Sequence, residues 1–329
     1  MKAYVQHAYG SAERLGLEDV ADPVPAPDEV LVRVRATSVN PYDWHNMRGE
    51  PRVARLMPGG LDLRRPAIPT LGCDVAGRVE AVGAAVTGFR PGDDVYGLLT
   101  GGGFGELVAV REELLAPMPK NLTYEEAAAV PMAAITAFVG LRDAGGLRAG
   151  QTVLVNGASG GVGTFAVQLA RAFGATVVGV CSSRNVALVR SLGAVEVIDY
   201  TTTKTLANGR SYDLILDNAG SRAISALRRT MTRTGTFVVI GGRGGRWVRP
   251  VDRMISALAR GPFVPQRMVR ADAVAYPHKK RVLLELKDLI EDGRVTPVID
   301  RRFGFDELPA AVAYQEKGHA PGKVVVTLA

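Results

Sequence analysis

The sequence predicts an α/β protein of two domains, a β-rich one followed by one in which helices cover both faces of a doubly wound parallel sheet. Three observations carry this. From Thr123 onward buried-strand runs alternate with helix-periodic stretches, the pattern of parallel strands joined by crossover helices. Before Asn121 the chain reads instead as short strands and turns. And 329 residues at 47% hydrophobic content are too many for one core and enough for two.

The elements follow in order. Met1 to His7 lacks the long apolar core of a signal peptide and reads as a strand entering the fold, so export is not expected. After Pro23, Pro25 and Pro27, the residues Val30, Val32 and Val34 alternate with Leu31, Arg33 and Arg35 as in a half-buried strand. Val75 to Val82 is a second strand, Arg90 to Asp94 a turn, and Gly101 to Gly103 a loop before the strand Glu106 to Val110. At Thr123 and Glu126 the spacing is that of a capping box, a hydroxyl and a carboxylate each satisfying a backbone N–H of the other, and it opens the second domain. There follow a strand at Val153 to Val155, a helix ending at Gly174, a strand Thr176 to Val180, a helix Arg184 to Leu192 and short strands at Val197–Ile198 and Asp213 to Leu216. A helix Ser221 to Met231 and a strand Thr236 to Ile240 complete this stretch. Leu283, Leu286, Leu289 and Ile290 share one face of a further helix, and the strand Lys323 to Thr327 returns to the first domain. The expected division is residues 1–121 and 266–329 for the β-rich domain and 122–265 for the other.

The turn between strand and helix carries the chemistry. Ala158, Ser159, Gly160, Gly161, Val162 and Gly163 follow an apolar strand and open a helix with Phe165, Leu169 and Phe173 on one face. Gly160 permits close backbone approach, Gly163 lets the helix pack on the strand, and the helix N-terminus offers free N–H groups to a pyrophosphate. Ala158 stands where the first glycine of the usual pattern would be. No Lys-Ser or Lys-Thr follows, which excludes a P-loop. The pattern therefore predicts dinucleotide binding.

About twenty residues on, where NAD enzymes place an acid for the ribose, stands Cys181, and no Asp or Glu occurs between Gly157 and Val195. Ser182, Ser183 and Arg184 come next, two hydroxyls and a guanidinium suited to a ribose 2′-phosphate. The expected cofactor is NADP(H).

Composition narrows the class. No apolar run is long enough to span a bilayer, and Cys73 and Cys181 are too few for a disulfide framework or a cysteine-rich metal site, which points to a reducing cytoplasm. The net charge of +7 comes from scattered arginines, concentrated at Arg228–Arg229 and at Arg243, Arg246, Arg249 and Arg253. They lack interleaved aromatics and match no nucleic-acid motif, so the expected partner is a small molecule, with neither nucleic acid nor membrane.

Ser38 to Asp43, Leu71 to Val79, Gly88 to Gly97, the glycine turn and Gly322 to Val325 together resemble the medium-chain dehydrogenase/reductase superfamily, in its zinc-independent quinone oxidoreductase and enone reductase branch. The resemblance implies a GroES-like β-barrel catalytic domain built from both chain ends, a Rossmann domain between and a homodimer, and in a two-domain enzyme the cleft between domains is the default catalytic site. Zinc members carry a Cys at the position of Asn40 and Gly-His-Glu at Gly72-Cys73-Asp74, so zinc is not expected, Cys73 reads as core, and alcohol dehydrogenation through a zinc alkoxide is disfavoured. In zinc-free relatives the residues matching Asn40 and Thr136 lie at the nicotinamide. By the same resemblance Ser159 to Gly163 hold the pyrophosphate, Ser182 to Arg184 with Tyr200 the adenosine phosphate, Asn218, Gly241 and Gly242 the nicotinamide end, and Lys323 is a further cofactor candidate. Tyr42, Asp43 and His45 are the candidates on the substrate side, against plainer readings of Asp43 as a helix cap and His45 as a satisfied structural residue.

The implied activity is hydride delivery from NADPH to a quinone or an α,β-unsaturated carbonyl. The alternatives are an enoyl-thioester reductase, toward which the basic surface leans, and an NADPH-binding protein with little turnover.

Overall fold

A computed structural model describes residues 1–57, 61–203, 206, 209–242 and 244–328. Pro58 to Gly60 and Arg243 of the basic cluster lie outside the described residues. In chain order the strands and helices are β1 (Lys2–Val5), β2 (Gly16–Asp19), β3 (Glu29–Val39), α1 (Pro41–Arg48), β4 (Asp74–Val82), β5 (Asp94–Leu98), β6 (Leu107–Arg111), β7 (Leu115–Pro117), α2 (Tyr124–Ala128) and α3 (Pro131–Phe138). They continue with β8 (Thr152–Asn156), α4 (Gly161–Ala172), β9 (Thr176–Cys181), α5 (Val186–Ser191), β10 (Glu196–Asp199), β11 (Tyr212–Asp217), α6 (Ile224–Arg228), β12 (Met231–Val239), α7 (Val251–Arg260) and β13 (Arg267–Arg270). The last are α8 (Lys279–Glu291), β14 (Ile299–Gly304), α9 (Leu308–Glu316) and β15 (Lys323–Thr327).

Two compact units emerge, one of residues 1–135, 274–293 and 297–329 and the other of 136–273 and 294–296. The sequence placed the borders at 121/122 and 265/266. The first border falls later by contact because α2, opened by the Thr123–Glu126 capping box, lies on β3 and β4. The second falls later because β13 pairs in parallel with β12. Thr296 belongs with the second unit because its N–H and C=O bond the side chain of Gln168, both at 2.9 Å.

The first unit is built around β3. Its first half pairs with β6, its second half with β15, and β4 runs along its other edge, all antiparallel. The seven-stranded sheet has the order β14-β15-β3-β4-β5-β7, with β6 on β3. The alternation read from Val30 to Val34 is real, since these valines are buried while Leu31, Arg33 and Arg35 are half-exposed. Tyr96 on β5 donates its hydroxyl to the Leu283 carbonyl at 2.6 Å and so fixes α8 within this unit.

The second unit is a six-stranded, all-parallel sheet ordered β10-β9-β8-β11-β12-β13. Strand order reverses between β8 and β11, and in such sheets ligands bind beyond the carboxyl ends at that switch point. Leu154, Ile215 and Phe237, side by side on β8, β11 and β12, are fully buried, each contributing about 1.5–3 kcal/mol of apolar burial.

Some boundaries differ from expectation. The helix expected over Ser221 to Met231 is only Ile224–Arg228, because Met231 already pairs with Tyr212 and opens β12. The expected helix from Arg184 begins as a 3-10 turn at Ser183–Asn185, and α5 follows. Helices α7 and α9 and strand β13 had no expected counterpart. Among the described residues no helix is long and apolar enough to cross a membrane.

Candidate functional site

At the switch point β8 ends in Asn156, and Gly157 turns the chain at φ +87°, a conformation open to glycine at no steric cost. The N–H groups of Gly157 and Ala158 both donate to the Val180 carbonyl, at 3.1 and 2.9 Å, which ties the turn to β9. Ala158 is buried, its methyl facing Gly179, where a Cβ would lie 3.1 Å away. Gly163 must be glycine, since a Cβ there would fall 2.1 Å from the Gly157 carbonyl oxygen. Gly160 is different: its φ is an ordinary −79°, and a Cβ would meet only the Gly157 oxygen at 3.7 Å. Gly160 at the cap has no side chain to bond the first turn of α4, and helix geometry leaves the leading N–H groups at Gly161 and Val162 without an intrahelical acceptor at the positive end of the helix dipole.

The two neighbouring strand ends complete the arrangement. Asn156 Nδ2 donates to Asp217 Oδ1 at 2.6 Å, and Asn218 N to the Asn156 carbonyl at 3.1 Å. Beside them the Asn218 side chain is anomalous, because its Oδ1 and Nδ2 are both buried with no hydrogen-bond partner among the described residues. A buried amide left unsatisfied is costly, and at the carboxyl end of a parallel sheet it can offer a donor and an acceptor to a ligand. Gly157 and Gly241 border it, with hypothetical Cβ atoms 3.5 Å from Asn218 Cβ and 3.3 Å from its carbonyl oxygen. Gly242 lies by Pro250 and Arg253 and lines a cavity of about 240 Å³ with Gly220, Ser221 and Arg249.

A latch not read from the sequence holds this corner. Fully buried Asp217 receives Nε of Arg253 at 2.8 Å and also its Nη2, while Gly220 N donates to the other carboxylate oxygen at 3.2 Å. Arg253 Nη1 reaches the Arg222 carbonyl at 2.8 Å. One guanidinium thus joins the end of β11, the following loop and α7. In the sequence Arg253 was one of several scattered arginines, because only the fold brings it to Asp217, 36 residues earlier.

At the adenosine side Asn185 Nδ2 bonds Ser159 Oγ at 3.0 Å and Ser182 Oγ at 3.4 Å, binding the glycine turn to the end of β9. Ser183 and Arg184 are exposed there, as is Tyr200. A carboxylate is also present: Asp199, paired with Cys181 across β10 and β9, accepts the Ser183 hydroxyl at 2.6 Å. The acid-free stretch ended at Val195, so the sequence distance concealed a neighbour one strand away.

In the first unit strand register assembles a buried polar cluster. Val324 pairs with Val39, and Ser38 with Asp74, so Lys323, Asn40 and Asp74 meet at the ends of β15, β3 and β4. Lys323 Nζ bonds Asn40 Oδ1 and lies 3.1 Å from Asp74 Oδ2. Asn40 Nδ2 donates to Asp74 Oδ2 at 2.9 Å and faces Cys73 Sγ at 3.3 Å. Ser38 Oγ and Met132 N complete the shell of Asp74, at 2.6 and 2.7 Å. Lys323, expected as a cofactor residue, is here the counter-ion of a buried carboxylate, and the amide of Asn40 is committed to the cluster on both its oxygen and its nitrogen.

Asp43 is buried and accepts Asn40 N at 2.8 Å and Gly72 N at 3.2 Å, the capping role foreseen as its plainer reading. Burial raises its pKa to about 7 against these donors, with the Asp74 charge adding to the rise. His45 Nδ1 meets the Glu50 carbonyl at 2.8 Å, which only an N–H satisfies, and its ring stacks on Trp44 with centroids 3.7 Å apart. Burial lowers its pKa to about 4. A neutral imidazole with Nδ1–H so engaged has only a lone pair at Nε2, so His45 offers an acceptor there and no proton at neutral pH. Tyr42 Oη lies 3.5 Å from the Thr100 carbonyl oxygen, and Thr136 is buried in α3.

The positions of the zinc ligands do not suit a dication. An ammonium is paired with Asp74 and Asn40, Asp74 Oδ2 already takes three donors, and burial with two nearby carboxylates pushes the Cys73 thiol well above its usual range, against the thiolate that zinc requires. Among the described residues no group of three or more His, Cys, Asp or Glu is placed to hold a metal ion.

Comparison with known proteins places these features in a family. Residues 26–120 match the alcohol dehydrogenase GroES-like domain and residues 192–326 the zinc-binding dehydrogenase domain. The chain is 34% identical to a chloroplast envelope quinone oxidoreductase homolog of Arabidopsis thaliana over 99% of its length and 98% of the relative. It is 35% identical to a 2-methylene-furan-3-one reductase of Solanum lycopersicum, covering 99% of the chain and 79% of the relative. The solved quinone oxidoreductase of Coxiella burnetii superposes with a TM-score of 0.85 at 27% identity over 100% of this chain and 99% of that one. The chain belongs to the medium-chain dehydrogenase/reductase superfamily, in its quinone oxidoreductase and enone reductase branch.

Proposed function

We propose that the protein is an NADPH-dependent reductase of quinones or α,β-unsaturated carbonyls that works without a metal. The observation that carries the proposal is the switch-point corner, where a glycine turn with room at Gly160 faces the orphaned amide of Asn218. Full-length similarity to quinone and enone reductases gives the acceptor class.

When bound, the reduced nicotinamide supplies the hydride. The chain's own part is to bind and orient. The Gly161 and Val162 N–H groups offer hydrogen bonds to the pyrophosphate, and Ser182, Ser183 and Arg184 face the adenosine phosphate. Asn218 has a free donor and a free acceptor for the nicotinamide end. The Asp217–Arg253 latch keeps that end in register. Conjugation in the acceptor replaces the activation that a Lewis acid gives an alcohol or aldehyde, so positioning supplies most of the catalysis.

The test is a panel of quinones, alkenals and enoyl thioesters, with NADPH oxidation followed by absorbance. Turnover of quinones or alkenals is expected. Preference for thioesters would favour the carrier-bound alternative, and tight NADPH binding with no oxidation above background would make the protein a binding protein.

A further inference from the structure

We propose that Asp199 is the residue that sets cofactor selectivity, holding the preference for NADPH over NADH to a small ratio. The inference rests on the dinucleotide reading above and deepens it. Asp199 ends β10 directly opposite Cys181, the last residue of β9, so its side chain stands one strand away from the place where an acid would contact the adenosine ribose.

Its contacts decide what the neighbouring hydroxyls can offer. Ser183 Oγ donates to Asp199 Oδ2 at 2.6 Å, Thr201 Oγ1 donates to Asp199 Oδ1 at 2.7 Å, and the two hydroxyl oxygens are themselves 2.6 Å apart. Thr201 N adds a further bond to Oδ1 at 2.9 Å. Two hydroxyl protons serve three short oxygen–oxygen contacts, so both are used within the trio of Ser183, Thr201 and Asp199. Each hydroxyl has one proton to give, so the side of Ser183 turned to a ligand presents lone pairs. Lone pairs accept from a ribose 2′-hydroxyl and oppose a 2′-phosphate, which only accepts.

To serve a phosphate Ser183 must turn its proton away from Asp199, and the phosphate dianion then sits near a carboxylate. The hydrogen bonds from Ser183 and Thr201 hold that carboxyl below its ordinary range, so it is charged at neutral pH. Arg184 draws the phosphate in while Asp199 opposes it. The sequence pattern Ser182-Ser183-Arg184 by itself points to NADPH, and the neighbouring strand moderates that preference.

The experiment is separate titration of the full chain, and of Asp199→Asn and Asp199→Ser, with NADPH and with NADH, following protein fluorescence. Both variants keep a polar side chain at a half-buried strand end and remove the charge. The ratio of the NADH to the NADPH dissociation constant is expected to rise about tenfold in both, the effect of removing a carboxylate close to a phosphate at a solvated surface. Most of the change is expected in NADPH affinity. A ratio unmoved, or moved toward NADH, in variants that still bind dinucleotide overturns the role of Asp199 and leaves the dinucleotide reading intact. A wild-type chain that binds neither cofactor overturns the dinucleotide reading and this inference with it.

Discussion

Lys323 and Asn40 are joined by a hydrogen bond although 283 residues separate them in sequence. They meet because Val324 is paired with Val39, so each polar residue stands at the same end of adjacent strands. A lysine completing this cluster is the counter-ion of the buried Asp74 carboxylate.

Removing that charge leaves a buried carboxylate unpaired. Lys323→Met is expected to lower stability by about 3–5 kcal/mol in chemical denaturation. Combining it with Asp74→Asn is expected to recover part of the loss, because the uncompensated charge is then gone. A single variant as stable as the wild type would show that Lys323 is not the counter-ion.

The glycine turn gives a paired prediction. Gly163→Ala drives a methyl into the Gly157 carbonyl and is expected to destabilise the second unit by about 1–3 kcal/mol. Gly160→Ala meets only ordinary contact at 3.7 Å, so its melting temperature is expected to match the wild type while dinucleotide affinity falls at least about tenfold. Unchanged affinity in Gly160→Ala would mean that the turn is not the cradle.

How much of this was legible in the sequence depends on the range of the interaction. The glycine turn, the Thr123 capping box and the β3 alternation are local, written in consecutive residues. The Asp43 cap was readable for the same reason, since its partner Asn40 is three residues away. Asp199 beside Ser183, Arg253 on Asp217 and Lys323 on Asp74 depend on strand order and register, which no local pattern encodes. Helix Ser221 to Met231 was overextended because its last residues pair across to Tyr212, a tertiary contact that overrides local propensity.

The Arg253 latch predicts a split between binding and chemistry. Arg253→Met is expected to cost about 3 kcal/mol in stability and to raise the KM for NADPH more than it lowers kcat. Arg253→Lys is expected to restore little, because one ammonium cannot hold both Asp217 and the Arg222 carbonyl. A variant with normal KM for NADPH would show that the latch does not position the cofactor corner.

Stability against pH carries the signatures of two buried groups of opposite sign. Asp43 has its folded pKa raised from 3.8 to about 7, so its contribution is present at low pH and is lost as pH rises through that window. His45 has its folded pKa lowered from 6.5 to about 4, so the neutral ring favours the fold above that window and stability is lost as pH falls through it. The two slopes oppose each other in the wild type. His45→Gln is expected to show stability falling as pH rises from about 4 to 7, and Asp43→Asn to show it rising from about 4 to 6.5, each by urea denaturation at fixed pH values. Two variants with the same slope would contradict these assignments.

The most direct test of the central claim is steady-state NADPH oxidation by a quinone and by an alkenal after exhaustive dialysis of the protein against a strong chelator. Hydride transfer to a conjugated acceptor through this chain's own residues predicts that activity survives dialysis unchanged. Activity lost on dialysis and restored by zinc would contradict it, as would no oxidation with either acceptor.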